Sequence, residues 1–457
     1  MPGPAGAGAP PRGPTPARAL ALRVLGRVER GAFANAALDQ ALSSCALRDR
    51  DRALVTALVD GTLRWRGRLD YALAQCLARP LAALTPAIRS ILRLGAFQIL
   101  LLDAVPARAA CDEAVRMARA RGHPGTIALV NAVLRHLAEQ GEPPAPDRGA
   151  DAASHIAVVH SHPRWLVERW ITHFGVAAAE AICDADNRPA PVCLRPNRLR
   201  GDAAELAAEL AAAGMATQPS PLVAGALRLT SGGDPRRAAA YAAGRFTVQG
   251  DGSMVVGLAA RPRPGARVLD LCAGVGGKAT HMAELMDNQG PVLAVDRQGW
   301  KLARLKEECA RLGVTIVETR EQDARALEGI GGYDLCLVDA PCSGTGALRR
   351  RADSRWRKTP QQLAKLAALQ GELLATALTL VRPQGVVVYS TCSLEPEENE
   401  GVVSAALADG RARAEDCRGL VAGLPDSALA ADGRALRLLP HLHDADGMFI
   451  ARLRRRA

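Results

Sequence analysis

The chain has 457 residues, with 48% hydrophobic and 23% charged side chains, which is the balance of an ordinary globular protein of two or three domains. Its formal net charge of +11 favours a polyanionic partner, and nucleic acid is expected before an anionic membrane. The most apolar stretch, residues 91–105, is interrupted by Arg93 and Asp103 and is too short to span a bilayer. The composition therefore predicts a protein that does not associate with a membrane.

The cysteines and the first residues indicate the compartment. Eleven cysteines, an odd number without any Cys-x-x-Cys pair, argue against a disulfide framework and against a zinc site, so no metal is expected. Free thiols in a chain of this size are typical of the reducing cytosol. Residues 1–16 are rich in proline, glycine and alanine and lack the apolar core of a signal peptide, so we expect a disordered tail.

Residues 17–141 carry apolar side chains at helical spacing throughout. The clearest runs are residues 19–25, 53–59 and 88–102, and the whole segment predicts six or seven short helices in an all-α bundle. The next stretch, residues 142–152, is rich in proline and is predicted to be a linker.

The rest of the chain is predicted to form a small α+β module followed by an α/β domain. Residues 153–244 combine a helical run at 202–213 with short extended pieces such as 191–195. Residues 245–457 alternate strands and helices, which is typical of a mostly parallel sheet covered by helices.

A glycine-rich turn follows the first strand of that α/β domain. Residues 266–270 are predicted to form a strand, residues 271–278 (LCAGVGGK) a turn, and a helix begins at Ala279. Glycines let the backbone approach a ligand closely and leave the N-terminus of the next helix open. The spacing, an acidic residue followed by x-x-x-Gly-x-Gly, fits S-adenosylmethionine enzymes better than the Gly-x-Gly-x-x-Gly of a dehydrogenase, which is the alternative.

Two acidic residues at the ends of later strands complete the predicted cofactor site. Asp296 follows the strand at 291–295, and an acidic residue in this place often binds ribose hydroxyls. Asp323 follows a strand predicted at 314–317, which places it to contact an adenine amine.

Two cysteines follow two apolar runs that read as buried parallel strands. Cys342 comes after the run 335–338, and Cys392 comes after the run 386–389. If these strands are neighbours they lie ~5 Å apart. Both thiols and Asp339 then meet at the carboxyl edge of the sheet, where open α/β folds bind ligands. Other cysteines, such as Cys336, are expected to be buried small hydrophobes.

Two thiols beside a carboxylate suit covalent chemistry on an electron-poor ring. Carbon 5 of cytosine is a poor nucleophile, but addition of a thiolate at carbon 6 gives an enamine-like ring that can attack an electrophilic methyl group. A carboxyl group near ring N3 favours that addition. A nucleophile, an acid and a group that assists release form the minimum set, and Cys392, Asp339 and Cys342 supply it.

The segments that contain the two cysteines resemble motifs of one particular protein family. The segments 339–346 (DAPCSGTG) and 389–400 (YSTCSLEPEENE) resemble motifs of the RNA cytosine-5 methyltransferases of the Sun family. Residues 246–253 (FTVQGDGS) resemble a further motif of that family, with Gly250 inserted. Residues 444–450 (DADGMFI) resemble its closing strand.

The resemblance implies roles for individual residues. The thiol of the Ser-Thr-Cys motif, here Cys392, is expected to attack carbon 6, and the thiol of the Pro-Cys motif, here Cys342, to assist product release. DNA cytosine-5 methyltransferases use the Pro-Cys thiol as nucleophile, so the presence of Cys392 favours RNA. The residues implied for S-adenosylmethionine are Cys272, Ala273, Gly274, Val275, Gly276, Gly277, Lys278, Asp296, Asp323 and Asp339.

The N-terminal segment narrows the expected substrate. Residues 51–64, 92–100 and 129–135 resemble the NusB-like RNA-binding bundle, and its fusion to this catalytic domain is typical of family members that act on 16S rRNA. The resemblance implies a cytoplasmic, monomeric, Rossmann-like methyltransferase that modifies one cytosine of free or partly assembled 16S rRNA. The motifs themselves do not specify which cytosine.

Two other functions and two surface features stay open at this stage. The same chemistry on tRNA is one alternative, and a non-catalytic RNA-binding factor is another. Arg349, Arg350 and Arg351 follow the Pro-Cys loop and are expected either to grip phosphates or to form a solvated face. The acidic run 396–400 is interpreted as compensation of the dipole of the next helix.

Overall fold

The computed structural model describes residues 15–328 and 332–457, which group into two compact units. The helical unit comprises the chain up to Asn187 together with Arg351–Arg357. The sheet unit comprises Arg188–Arg350 and Lys358–Ala457. Most of the predicted tail, residues 1–14, lies outside the described residues, and Pro16 already belongs to the first helix.

The helical unit is built from ten α-helices within its described residues. They are α1 (Pro16–Glu29), α2 (Ala34–Ser43), α3 (Asp49–Arg64), α4 (Arg66–Gln75), α5 (Pro86–Leu100), α6 (Ala107–Arg119), α7 (Pro124–Gln140), α8 (Ala152–Val159), α9 (Arg164–Phe174) and α10 (Val176–Ala185). The first seven confirm the predicted bundle. Helix α5 lies at its centre, because its residues from Ser90 to Gln98 are all buried.

The helical unit extends beyond the predicted linker. The sequence places a linker at 142–152, whereas the helices α8–α10 group with the helical unit, which ends at Asn187. The reason is that the proline-rich stretch is bonded back onto the bundle. The Tyr71 hydroxyl donates to the Pro144 carbonyl at 2.9 Å, and Arg68 pairs with Glu142.

A short segment from far along the chain completes the helical unit. Residues Ala352–Trp356 form a 3-10 turn in which Arg355 is fully buried. Its guanidinium donates to the Ser161 carbonyl and to Asn187 Oδ1, each at 3.0 Å. The Trp356 indole N–H donates to the Leu63 carbonyl at 3.1 Å. These bonds satisfy carbonyls of the bundle with donors that lie about 170 residues or more away in sequence.

The sheet unit begins with a small antiparallel sheet. Its elements are β1 (Val192–Pro196), α11 (Ala203–Ala212), β2 (Ala216–Pro219), β3 (Leu227–Ser231), α12 (Ala239–Ala242) and β4 (Phe246–Val248). The strand order is β2-β3-β1-β4, with α11 packed on one side. Asp202 caps α11 by accepting from the N–H groups of Ala204 and Glu205, which explains why the helix begins there.

The larger sheet carries the predicted glycine turn and both thiols. Its elements are α13 (Asp251–Ala260), β5 (Val268–Asp270), α14 (Gly277–Leu285), β6 (Val292–Asp296), α15 (Gly299–Leu312), β7 (Val317–Glu321), β8 (Tyr333–Asp339), α16 (Pro360–Leu380), β9 (Val381–Thr391), α17 (Glu400–Ala408), β10 (Ala412–Ala414), β11 (Ala435–Leu438), α18 (Pro440–His443) and β12 (Met448–Arg455). The order is β10-β12-β9-β8-β5-β6-β7, with β11 paired to β12. The five strands from β9 to β7 are parallel, and β12 runs antiparallel to β9. This confirms the predicted mostly parallel sheet.

The third predicted strand starts later than expected. The sequence places it at 314–317, whereas β7 begins at Val317. Residues 313–316 are used to leave α15, because Gly313 adopts a left-handed φ of 74° and the Val314 N–H bonds back to the Cys309 carbonyl. Asp323 still follows the strand.

Both faces of the larger sheet are buried, and the strands β8 and β9 show the alternation. Leu335 and Leu337 of β8 pack in one core cluster, and Cys336 and Val338 pack in the other. Cys336 is therefore the buried small residue that the sequence predicts. Among the described helices, α16 alone is long and apolar enough to cross a membrane, and its face with Leu373, Leu374 and Ala377 packs in the second cluster.

Candidate active site

The glycine turn lies at the switch point of the larger sheet. Strand β5 has β6 on one side and β8 on the other, so the crevice at its carboxyl end opens between two helical layers. Within the turn, Gly274 and Gly276 have φ values of 57° and 88°, a region that L side chains rarely adopt. A side chain on Gly276 would also overlap Leu305, since its Cβ would lie 2.0 Å from Cδ1. The turn is thus closed by backbone conformation and lies against α15.

Asp296 is bonded directly to the turn. Its Oδ2 accepts from the Gly274 N–H at 3.0 Å, and its Oδ1 accepts from the Gln298 N–H at 2.9 Å. The Lys301 ammonium lies 3.3 Å from the same carboxylate. This pairing orients an acidic side chain at the end of β6, as the sequence predicts.

Asp323 stands at the end of the next strand, where it caps a 3-10 turn. Its carboxylate accepts from the Arg325 backbone N–H at 3.0 Å and from the Arg325 guanidinium at 2.7 Å. These hydrogen bonds lower the pKa of Asp323 to about 2. An adenine amine would therefore share this carboxylate with Arg325.

Asp270, the acidic residue that opens the turn motif, is almost completely buried at the end of β5. Burial and the neighbouring Asp339 carboxylate raise its pKa to about 7, while Lys278 opposes the rise. Among the described residues no donor meets full hydrogen-bond geometry at either of its oxygens, although the Cys272 backbone N–H lowers its pKa. Burial next to this carboxylate also raises the pKa of the Cys272 thiol. The floor of the cofactor site is therefore a place where negative charge is disfavoured.

Arg195 supports the turn from the small sheet, and sequence reasoning missed it. Its buried guanidinium donates to the Gly277 carbonyl at 2.8 Å, to Thr280 Oγ1 at 3.1 Å and to Glu284 Oε1 at 2.7 Å. It also donates to Gln249, which belongs to the motif quoted for residues 246–253. The motif at residues 246–253 was the sequence signal available for this contact. It does not reveal that Gln249 pairs with a residue 54 positions away in the chain.

The two thiols meet as predicted. Strands β8 and β9 pair in parallel with Asp339 opposite Ser390, and the Sγ atoms of Cys342 and Cys392 lie 3.4 Å apart. The hydrogen bond to Cys392 and burial raise the pKa of the Cys342 thiol, with smaller contributions from the carboxylates of Glu398 and Asp339. Negative charge on Cys342 is therefore disfavoured while Cys392 lies beside it.

Lys278 and Asp339 complete the reaction side of the site. The Lys278 ammonium donates to Asp339 Oδ2 at 2.7 Å, and the Ser390 hydroxyl donates to Asp339 Oδ1 at 2.9 Å. Burial opposes the charge on Lys278, but Asp339, Cys392 and Asp270 together raise its pKa. A cation is thus held between the glycine turn and the Cys392 thiol.

The arginines after the Pro-Cys loop do not form one solvated face. Arg349 is buried and pairs with Asp444 at 2.6 Å, the half-buried Arg350 pairs with Asp446 at 2.7 Å, and Arg351 is exposed. These two ion pairs join the segment that follows Cys342 to residues about 95 positions later in the sequence.

The acidic run also differs from its interpretation as helix-dipole compensation. Helix α17 begins only at Glu400, which pairs with Arg437. Glu395 and Glu398 precede the helix in a turn and are fully buried. At least Glu398 is therefore a structural group of the site rather than a charge at a helix end.

The residues present fit S-adenosylmethionine. The open N-terminus of α14, the left-handed glycines and the carboxylates at the ends of β6, β7 and β8 form a cradle for a nucleoside with a charged tail. Apart from the neighbours of Gly274 in the chain, no heavy atom of the described residues lies within 4 Å of the position of a Cβ on Gly274, so the turn has room for a ligand there. The thiols lie on the neighbouring strand end, where a methyl acceptor would have to reach.

This sheet order, with a glycine turn at the switch point and reactive groups beside it, defines a Rossmann-like methyltransferase. Three family descriptions match consecutive parts of the chain: the NusB family at residues 15–139, the RsmF/B-like ferredoxin-like domain at 162–235, and the 16S rRNA methyltransferase RsmB/F at 257–454. Together with the full-length relatives below, they show that the chain belongs to the RsmB/F methyltransferase family.

The most similar relatives cover nearly the whole chain. A probable ribosomal RNA small subunit methyltransferase B of Bacillus subtilis (strain 168) is 37% identical over 448 residues, covering 97% of this chain and 99% of its own. A protein with the same description from Synechocystis sp. (strain ATCC 27184 / PCC 6803 / Kazusa) is 35% identical over 451 residues, covering 96% and 99%. The crystal structure of PH0851 superimposes with a TM-score of 0.81 at 26% identity, covering 98% and 99%. The helical bundle, the ferredoxin-like module and the Rossmann-like domain thus confirm the predicted fold class.

Proposed function

We propose that this chain transfers a methyl group from S-adenosylmethionine to carbon 5 of a cytosine in 16S rRNA, through a covalent adduct between Cys392 and carbon 6. The observation that carries the proposal is the pair of sulfur atoms 3.4 Å apart, with the Lys278–Asp339 ion pair beside them. A lone thiol would serve many chemistries. Two thiols that differ in how readily they lose a proton suit a reaction in which a sulfur atom first adds to a ring and is later expelled from it.

The first step falls to Cys392. Its sulfur lies 3.4 Å from that of Cys342, and the Lys278 ammonium favours negative charge on it. Attack on carbon 6 forms a carbon–sulfur bond and moves electron density to carbon 5 and ring N3. Asp339 is our candidate for contact with N3: its carboxylate, oriented by Lys278 and Ser390, takes up the proton that the Cys392 thiol gives up and donates it to N3 as electron density arrives there. N3 returns this proton when the ring double bond is restored. S-adenosylmethionine bound in the glycine turn supplies the electrophilic methyl group that carbon 5 then takes.

The second step falls to Cys342. The leading cause of its raised pKa is the hydrogen bond to Cys392. Conversion of Cys392 into a thioether removes that cause, so Cys342 can lose its proton to solvent and then accept the proton of carbon 5. Loss of that proton restores the ring double bond and returns the electron pair of the carbon–sulfur bond to Cys392. Formation of the covalent adduct therefore determines that Cys392 acts first and Cys342 second.

The substrate class rests on relatives and on charge. The relatives named above are small-subunit rRNA methyltransferases, and the N-terminal residues match the NusB family. A net charge of +11 favours a polyanion, and the target base must leave its stack to reach Cys392. We take the enzyme to be a cytoplasmic monomer acting on free or partly assembled 16S rRNA.

The deciding experiment is transfer of radiolabelled methyl from S-adenosylmethionine to unmodified 16S rRNA, with Cys392→Ala as the matched variant. Label on cytosine carbon 5 that disappears in the variant is the expected result. Label on tRNA instead of 16S rRNA would keep the chemistry and replace the substrate. A parent protein that labels no RNA would favour the non-catalytic RNA-binding alternative.

A further inference from the structure

A single buried carboxylate joins the loops of both thiols. Glu398 is fully buried in the turn between β9 and α17. Its Oε1 accepts from the Ser343 N–H at 2.8 Å, and its Oε2 accepts from the Ser393 hydroxyl at 2.5 Å. The Ser343 hydroxyl also donates to Oε2. Ser343 follows Cys342 directly and Ser393 follows Cys392 directly, so one side chain bonds the residue after each thiol.

A glutamine fixes the same carboxylate from the opposite side. Gln370 of α16 is fully buried and donates from Nε2 both to Glu398 Oε1 and to the Pro341 carbonyl, each at 2.9 Å. The Tyr389 hydroxyl donates to the Glu398 carbonyl at 2.5 Å. The carboxylate thus has four hydrogen-bond contacts, all from uncharged groups. A buried charge without an ionic partner is costly, so such an arrangement calls for a role beyond packing.

The charges around the two thiols are unequal. Glu398 and Asp339 both raise the pKa of Cys342, after the larger effects of its hydrogen bond to Cys392 and of burial. On the other side of the pair, the Lys278 ammonium interacts favourably with negative charge on Cys392. A thiolate at Cys342 would therefore be opposed by the carboxylates of both Glu398 and Asp339.

We propose that Glu398 is a positioning residue that holds the two thiol loops in register and selects Cys392, rather than Cys342, as the nucleophile. This inference rests on the proposed function for its consequence in catalysis, but the selection of the reactive thiol is a property of the free protein. It explains why two adjacent thiols take different roles although both follow a strand end of the same sheet. Electrostatic selection acts before the substrate arrives, since Glu398 lies entirely within the protein.

The test is competitive alkylation of the free protein with iodoacetamide, in which the rates at Cys342 and Cys392 are measured by mass spectrometry. The parent is expected to react first at Cys392. Glu398→Gln keeps the size and most hydrogen bonds of the side chain but removes its charge. It is expected to raise the rate at Cys342 relative to Cys392 by about tenfold, the change in thiolate fraction for one pKa unit.

Two further variants distinguish the effect of the Glu398 charge from the effect of its side-chain length. Glu398→Asp keeps the charge but shortens the side chain, so the preference for Cys392 should remain while kcat for methyl transfer falls by about tenfold with little change in KM. Glu397→Gln removes a charge from the exposed neighbouring side chain and should leave the alkylation ratio at the parent value. Melting temperatures of all variants identify any loss of the fold.

The alkylation ratio decides the assignment whether or not the parent methylates RNA. An unchanged ratio in a folded Glu398→Gln protein would overturn it, as would identical ratios for the Asp and Gln variants. Should Glu398→Gln not fold, Glu398→Ala takes its place, since it removes the same charge without adding an amide to the site. It should also increase the reactivity of Cys342 relative to Cys392, and a parent-like ratio in this variant would equally contradict the proposal.

Discussion

The two halves of the candidate site are held in shape by different means. The cofactor half is shaped mainly by backbone, with left-handed glycines and an open helix end, and the side chains of Asp296 and Arg195 bond to that backbone. The reaction half is made of side chains: buried Glu398 and Gln370 tie together loops that lie 50 residues apart. Backbone shape is encoded locally, whereas a side-chain network depends on residues that meet only after folding. The halves should therefore respond to substitution in different ways.

The largest expected effect concerns the reaction half alone. Cys392→Ala should abolish methyl transfer, by about a thousandfold or more, and form no covalent RNA adduct, since the attacking atom is missing. Cys342→Ala should accumulate the adduct, because release of the product is slowed. Denaturing gels with labelled RNA and S-adenosylmethionine distinguish the two. The two-thiol assignment fails if neither variant differs from the parent.

A smaller but sharp effect is expected in the cofactor half. Gly276→Ala places a Cβ in Leu305 and at a φ of 88°, so the turn must move and the affinity for S-adenosylmethionine should fall by about 100-fold. Gly265→Ala is the matched control, because Gly265 also has a left-handed φ but has open space around it. It should cost stability of about 1 kcal/mol and leave affinity unchanged. Calorimetry of both variants makes the comparison, and equal affinities would contradict it.

Between the halves lies Asp270, whose substitution should change the pH dependence of stability. Its pKa is about 7 in the folded protein and about 4 when unfolded, so the folded state binds more protons between these values. The free energy of unfolding of the parent should therefore fall as pH rises from 4 to 7, by on the order of 3–4 kcal/mol relative to Asp270→Asn. Denaturant titrations of the free proteins from pH 4 to pH 8 measure this difference. Parallel curves would mean that Asp270 does not titrate in this range.

The smallest effect is expected at Asp323. Arg325 competes for the carboxylate that we assign to the adenine amine, and the pair is partly exposed. Arg325→Ala should therefore leave affinity for S-adenosylmethionine equal or raise it by no more than about threefold, while Asp323→Ala should lower it by about fivefold. Titration calorimetry of the two variants gives the order. A loss of affinity in Arg325→Ala would mean that Arg325, rather than Asp323, contacts the cofactor.

What could be predicted from the sequence follows the same division. The thiol pair, the glycine turn and the parallel strands could be predicted, because apolar runs and glycine spacing are local signals. The roles of Glu398 and Arg195 could not, since an acidic residue after a proline looks like a helix end and an arginine looks exposed until its partners are known. Arg349 was misinterpreted for the same reason, because its partner Asp444 is remote in sequence.

The domain boundary shows a second limit. Proline-rich composition at 142–152 indicates an absence of helix but does not indicate an absence of contacts, and Tyr71 and Arg68 bind that stretch to the bundle. The start of β7 was also shifted, because the residues before Val317 complete the end of α15. Composition predicts which residues avoid regular structure, and hydrogen-bond partners decide where one folded unit ends.

The segment Arg351–Arg357 has a consequence for the order in which the protein is made. The helices up to Asn187 leave the ribosome long before Arg355, although the carbonyls of Ser161 and Asp186 accept hydrogen bonds from that arginine. These two carbonyls therefore gain this donor only when a segment translated after Cys342 has left the ribosome. A nascent chain that stops between these points lacks the contacts of Arg355 and Trp356 within the helical unit.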